Sequence, residues 1–396
     1  MSENSEPSTP ASDASRLTLV MAFLFSASGM LMVFLPRWLA GEHGLNGGQI
    51  GAVLSLAQLT RILTGPLIAA WADATPDRNA PLRLVSAATI AAFAAFFFLA
   101  HGFWSLLLLG LVALSLMQAM TPLVEAGVLR ATAHGKLSYG VARGVGSISF
   151  IVATTAGGAL VSRFGPGAVV VWTLAAFSMA AASAWLGLRR EAHISVVRTP
   201  GEGMNAFAAL LRQRGFLLLI VSCGLIQSAH AFYYGFSTLV WQAQGLDDAT
   251  AGMLWGFGVA VEVVFLLCLS PIERHVSPQT LILAGAAGGV ARWLIMGFGP
   301  VGLVLWPLQA LHMLSFAAAH VGAMRLLYRA APERAAMAQT LYAGLSGGLF
   351  MGASSQFSGI LYDLHGARGY WLMAALAALG GALALRIAPP KTATSA

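Results

Sequence analysis

Charge is what this sequence has least of. Only 9% of its 396 residues are Asp, Glu, Lys or Arg, against about 25% in an ordinary globular domain. Cysteine occurs twice, and Cys223 and Cys268 both lie in apolar runs. They say nothing about disulfides, and no C-x-x-C metal or redox spacing exists. No G-x-x-x-x-G-K-[ST] loop is present, so an ATP-driven pump has no support. H-E-x-x-H and G-x-S-x-G are missing too, which argues against an intramembrane metalloprotease or a lipase. No metal site and no cofactor are expected, and the chain is not expected to be an enzyme.

What the sequence does have is apolar surface. Hydrophobic residues make up 58% of the chain, more than a water-soluble fold can hide, so lipid must be the solvent. The formal charge of +7 is weak evidence for nucleic acid, because basic residues in a membrane protein mark the loops on the cytoplasmic side.

The first sixteen residues, "MSENSEPSTPASDASR", are Ser/Pro-rich and without periodicity, which predicts a disordered tail. They lack the basic n-region of a secretory signal, and the apolar run that follows is longer than a signal's h-region. A spanning helix needs about 20 mostly apolar residues. By that measure twelve spans are predicted, at 17–39, 49–72, 82–100, 104–130, 139–163, 166–188, 215–242, 248–270, 279–298, 301–329, 334–363 and 368–387. The polar stretch 189–214 carries five arginines and divides them six and six. The expected organisation is therefore a tail over 1–16, a bundle over 17–188, a central loop over 189–214, a second bundle over 215–388 and a tail over 389–396.

Lys and Arg set the orientation. Fifteen of the 22 lie in the termini or in or beside loops 2–3, 4–5, 6–7, 8–9 and 10–11; Arg37, Arg163 and Arg368 lie on the other side, and four sit inside spans. That bias places both termini in the cytoplasm, in a multi-pass protein of the cytoplasmic (inner) membrane. Glycines at G-x-x-x-G spacing (Gly140/Gly144, Gly252/Gly256, Gly285/Gly289, Gly348/Gly352) predict close helix packing. Trp38, Trp104 and Trp371, near span ends, fit interfacial anchors.

Against this background a few polar residues stand out. Glu125 and Arg143 lie nine residues either side of His134, so in a helical hairpin they share a depth. Glu262 and Arg292 lie fifteen either side of Ser277. Arg61 and Arg325 complete the set. Six unpaired charges would cost roughly 15–20 kcal/mol on insertion scales, as much as the net stability of a whole fold, about 5–15 kcal/mol. They must pair or line water. Such pairs can be structural glue, and a lone intramembrane histidine is more often a satisfied hydrogen-bonding residue than a proton relay. Helical projection nevertheless gathers Gln227, His230, Tyr234, Ser237 and Trp241 on one stripe, and Arg143, Ser147, Phe150 and Thr154 on another. Trp255, Val259 and Glu262 align likewise, as do Gln309, His312 and Phe316. Polar and aromatic stripes from both halves predict a wet central cavity.

These residues carry a resemblance. "AAWADATPDRNAPLRL" keeps Asp73 and Arg78 of the loop 2–3 motif of the major facilitator superfamily, without that motif's glycines. "PLVEAGV", "YGVARGVGS", "LILAGAAGGVARWLIMG" and "LQALHML" resemble segments of its lactose-permease-like branch. "GLIQSAHAFYYGFSTLVWQAQG", "GMLWGFGVAVEVV" and "GGVARWLIMG" resemble the phenylpropionate permease family. The resemblance covers nearly the whole chain. It implies an all-α polytopic membrane protein, with twelve transmembrane helices in two pseudo-symmetric six-helix bundles and one midplane site opened to each side in turn. It implies a proton-coupled symporter of a small aromatic carboxylate, acting as a monomer on a small-molecule substrate and protons. By resemblance Glu125, Arg143 and Arg292 bind substrate, while Glu262 and His312 serve proton coupling; His230, Tyr234 and Trp241, from the projected stripe, are expected to line the site. The chain departs from the lactose-permease pattern in three places: Ser315 stands where a proton-carrying carboxylate is expected, Gln309 where a lysine is, and a His230/Tyr233/Tyr234 segment replaces the helix-7 acids. A small-solute or oligosaccharide symporter is the alternative.

Overall fold

The computed structural model describes residues 11–192, 209–330 and 335–387. Helices dominate these residues, and the only β-type pairing among them is an isolated bridge from Asp77 to Ala192. The first six helices are α1 (Ala11–His43), α2 (Gly47–Ala74), α3 (Ala80–Leu99), α4 (Phe103–Ala133), α5 (Tyr139–Phe164) and α6 (Ala168–Gly187). Helix α1 begins at Ala11, so residues 11–16, predicted as tail, extend the first helix instead. Residues 1–10, most of the central loop and the C-terminal tail lie outside the described residues.

Local sequence explains the helix starts. Asn46 caps α2 by accepting from the Gln49 N–H at 2.9 Å, while Gln49 Oε1 accepts from the Asn46 N–H at 3.2 Å, a reciprocal capping box. Ser277 accepts from the Thr280 N–H at 3.1 Å, with Pro278 in the first helical turn of Pro278–Met296.

Among the described residues eleven segments are long and apolar enough to cross a bilayer. The last of them, Met337–Ala384, runs for 48 residues. As one helix it would span about 70 Å at 1.5 Å per residue, more than twice the hydrocarbon thickness. A 3₁₀ turn at Gly366–Gly369 breaks it, and Gly366 takes φ +53°, a conformation that favours glycine. Counted as two helices it brings the total to twelve. Large apolar side chains point outward along these segments, among them Leu186, Leu267, Leu303 and Trp104, as expected where lipid replaces water.

The chain divides into two compact units, Met1–Arg198 with Gly245–Gly256, and Thr199–Gln244 with Phe257–Ala396. The first unit's core is aromatic: Phe93 stacks on Phe177 at 4.9 Å, and Trp38 packs against Phe96 and Phe97. Trp38 is thus a core residue at 3% exposure, not the interfacial anchor its position near a span end implied. Gly245–Gly256, expected in the second bundle, belongs here. Any side chain at Gly252 would strike the Thr154 carbonyl, and a methyl at Gly256 would sit 2.7 Å from Thr155 Oγ1. The Gly252/Gly256 pair is therefore a close-packing device. Gly144 has open space around it and is not.

In the second unit a cluster of Phe216, Ile220, Cys223, Ile226 and Ile282 forms the core, and Trp293 stacks on Tyr370 at 5.5 Å. The seventh predicted span is not one continuous helix. It stops at Ser228 and resumes at Ala231. The tenth and eleventh each contain a six-residue π-helical stretch, Met313–Ala318 and Leu345–Phe350, a wider winding that often marks functional sites.

Candidate functional site

In the first unit α4 carries Glu125 and α5 carries Arg143, joined by a turn through His134 and Gly135. Arg143 Nη1 donates to Glu125 Oε1 at 2.9 Å, and the two side chains remain 38% and 31% exposed. The Arg143 guanidinium also lies 4.8 Å from the centre of the Phe25 ring on α1. The hairpin symmetry read from the sequence thus brings these two together. Arg61 on α2, half-buried, lies within electrostatic range of Glu125.

The second unit is built differently. Arg292, on the helix Pro278–Met296, is completely buried. Its Nη2 donates to Gln309 Oε1 at 2.7 Å; its Nη1 donates to His312 Nδ1 at 3.0 Å and reaches Ser315 Oγ at 3.4 Å. The guanidinium lies 4.4 Å from the Tyr233 ring centre and 4.5 Å from that of Trp293. Its Nε is buried without a hydrogen-bond partner. The expected direct Glu262–Arg292 pair is absent among the described ion pairs, because His312 stands between the two. Glu262 Oε2 lies 3.3 Å from His312 Nε2.

The partners assign the tautomers. Arginine can only donate, so His312 Nδ1 accepts and its Nε2 carries the proton given to Glu262. His312 is a neutral bridge between a cation and an anion. His230 Nδ1 faces the Gln227 carbonyl at 3.1 Å and must donate to it, so its Nε2 accepts from the Ser315 hydroxyl at 3.1 Å. Ser315 then accepts from Arg292. The break at Ala229 makes this possible, since the Gln227 carbonyl takes the His230 N–H at 3.1 Å as well as the ring. His312 stacks on Phe316 at 5.2 Å, and Phe316 on His320 at 6.1 Å.

Tyr234 is half-buried with its ring 5.7 Å from that of His230. Trp241, expected to line a cavity, is 1% exposed and packs edge-on to Tyr233 at 6.1 Å. It braces Tyr233 from behind rather than meeting solvent. Trp293, which flanks the arginine together with Tyr233, was not among the residues singled out from the sequence. The available signal was its adjacency in sequence to Arg292. Among the described residues no three His, Cys, Asp or Glu side chains converge to hold a metal ion.

Residues 14–373 match the family model described as MFS_1 like family. The chain belongs to that family. It is 31% identical over 363 residues to a protein of Escherichia coli (strain K12) named "Probable 3-phenylpropionic acid transporter", covering 89% of this chain and 92% of that one. It is 20% identical to "Uncharacterized transporter YwbF" of Bacillus subtilis (strain 168), covering 91% and 89%. Among solved structures the nucleoside transporter NupG superposes with a TM-score of 0.78 at 13% identity, covering 95% of this chain and 98% of that one. The human organic anion transporter MFSD10 (TETRAN) gives 0.62 at 17%, covering 94% and 99%. These two support the fold alone. The chain is a multi-pass membrane transporter of the major facilitator type, not an enzyme.

Proposed function

We propose that this transporter carries a small aromatic monocarboxylate of the phenylpropionate kind, together with a proton, across the cytoplasmic membrane. The observation that carries this reading is Arg292, a fully buried guanidinium whose direct hydrogen-bond partners are all neutral. Burying an ion costs several kcal/mol even after relaxation, and nothing about Gln309, His312 or Ser315 supplies a compensating charge. A substrate carboxylate does, with bidentate geometry that only a guanidinium offers. Tyr233, His230 and Tyr234 provide ring faces and edges for an aromatic substituent. The name of the E. coli relative favours the same class of acid.

The proton enters through the same hydrogen bonds. Protonating His312 at Nδ1 turns its acceptor into a donor aimed at Arg292, which breaks their bond and frees guanidinium N–H groups. Protonating Glu262 removes the negative charge that holds the His312 N–H, and so weakens what fixes its tautomer. Either event loosens Arg292, and an arriving carboxylate competes for it, so proton and acid binding are linked through one side chain. Glu125 and Arg143 supply the corresponding pair of the first unit, and transport proceeds by alternating access. The excess of Lys and Arg in one set of loops supports a cytoplasmic position for both termini, and in this reading the transporter acts as a monomer.

Calorimetry on purified protein tests the substrate class. 3-Phenylpropionate should bind, 3-phenylpropanol more weakly, and a disaccharide not at all. Disaccharide binding without acid binding would favour the oligosaccharide symporter instead.

A further inference from the structure

The first unit carries an apolar groove of about 650 Å³ where α1, α5 and α6 meet. Small residues open it. On α6, Ala168, Val171, Ala175 and Met179 recur at spacings of three and four and so share one face. The two alanines leave room that larger side chains would fill. Phe23 of α1 and Phe164 of α5 contribute to the other walls. Trp172 Nε1 donates to Ser26 Oγ at 3.1 Å within the lining, so the indole N–H is already satisfied by the protein. The groove therefore suits a chain without polar atoms. Phe164, Val171 and Met179 are 68%, 71% and 52% exposed, on helices apolar enough to span the membrane. It opens to lipid.

Length and charge say which part of a lipid fits. From Ala168 to Met179 the groove follows α6 for about 17 Å at 1.5 Å per residue. One leaflet supplies about 15 Å of hydrocarbon, half of a core about 30 Å thick. Arg163, exposed in the last turn of α5, holds its guanidinium 5.5 Å from the centre of the Phe164 ring. Among the described residues it makes no ion pair and no hydrogen bond. Phe164 and Ala168 flank the turn that joins α5 to α6, so this charge stands at the end of the groove, where the helices leave the hydrocarbon. We propose that the groove is a binding site for one anionic phospholipid, with an acyl chain along α6 and the headgroup phosphate on Arg163. A guanidinium offers a phosphate two parallel N–H groups. A zwitterionic headgroup brings a second cation beside the arginine, and an anionic one does not. The site is separate from Arg292 and its partners and holds whatever the substrate is.

Native mass spectrometry of the full-length protein released from detergent tests this, with phosphatidylglycerol and phosphatidylcholine of identical acyl chains as probes. The variants are Arg163→Gln, Ala175→Phe and, as a control for charge on the same side of the membrane, Arg368→Gln, each checked for a monodisperse peak on size exclusion. The wild type should bind one phosphatidylglycerol about fivefold more tightly than phosphatidylcholine, the effect of one basic residue near a lipid surface. Arg163→Gln should abolish that preference and leave phosphatidylcholine unchanged. Ala175→Phe, which fills the groove, should weaken both lipids by the same factor, and Arg368→Gln should change neither. Equal affinity of the wild type for the two lipids overturns the site, as does phosphatidylglycerol binding unchanged in either Arg163→Gln or Ala175→Phe. A loss in Arg368→Gln equal to that in Arg163→Gln reduces the effect to general surface charge and overturns it too. A dimer in place of the lipid adduct, dissolved by Ala175→Phe, gives the groove to a second copy of the chain instead.

Discussion

The two units contain the same kinds of residue arranged to opposite ends. In the first, Glu125 and Arg143 touch directly and remain about a third exposed. In the second, Arg292 and Glu262 are kept apart by His312, with Arg292 out of contact with solvent. A direct, partly exposed pair in contact with water is worth only about 0–1 kcal/mol, so it can open and reform at little cost. A buried arginine with neutral partners is strained by its own charge, and a titratable ring fixes its hydrogen bonds. The first arrangement suits reversible recognition, the second suits coupling. Where a charge pair sits relative to water decides its use more than which residues compose it.

The largest expected effect comes from breaking the buried half. Arg292→Gln should weaken 3-phenylpropionate binding by about a hundredfold, since truncating a buried charged hydrogen-bonding group costs roughly 2–5 kcal/mol. Arg143→Gln should cost about tenfold, because its pair is partly exposed. Equal losses in the two variants, measured by calorimetry, would erase the distinction between the units. A finer contrast uses lysine. Arg143→Lys should keep most of the binding, whereas Arg292→Lys should not, because an ammonium cannot donate to Gln309, His312 and a carboxylate in the fork geometry.

A smaller effect is expected at Trp241. Being buried behind Tyr233, it should act through packing, so Trp241→Ala should weaken an aromatic acid and an aliphatic acid of equal charge by the same factor. A selective loss for the aromatic acid would show that Trp241 meets the substrate in another conformation. The smallest effect lies outside the spans. Hydrogen bonds from the Thr250 side chain and N–H hold the Asp247 carboxyl below its ordinary range. A depressed carboxyl stabilises the folded state above its unfolded value, and that contribution disappears as pH falls through the folded value, below about pH 4. Asp247→Asn should therefore leave the pH profile of uptake above pH 5 unchanged, which separates a helix cap from the coupling residues.

How much of this was legible in the sequence depends on distance along the chain. The Glu125–Arg143 contact follows from symmetry about one turn, so counting residues from His134 suffices. The spans follow from apolar runs. The Arg292–His312–Glu262 chain needs three helices in register, one of them passing into a π-helical stretch at Met313, and neither is set by local spacing. The break between Ser228 and Ala231 had no proline or glycine to announce it; a helical wheel drawn through it placed Trp241 on the same stripe as His230. Trp38 misled for a simpler reason, because position near a span end does not say which way a side chain points.

The central claim is that acid and proton are coupled through Glu262, His312 and Arg292. The most direct test records external pH while 3-phenylpropionate is added to proteoliposomes, with wild type and with Glu262→Gln, alongside exchange of labelled acid. The account predicts that substrate entry alkalinises the medium in the wild type, and that Glu262→Gln abolishes this signal while exchange continues. Uptake by the wild type with no proton movement, or alkalinisation undiminished in Glu262→Gln, would contradict it.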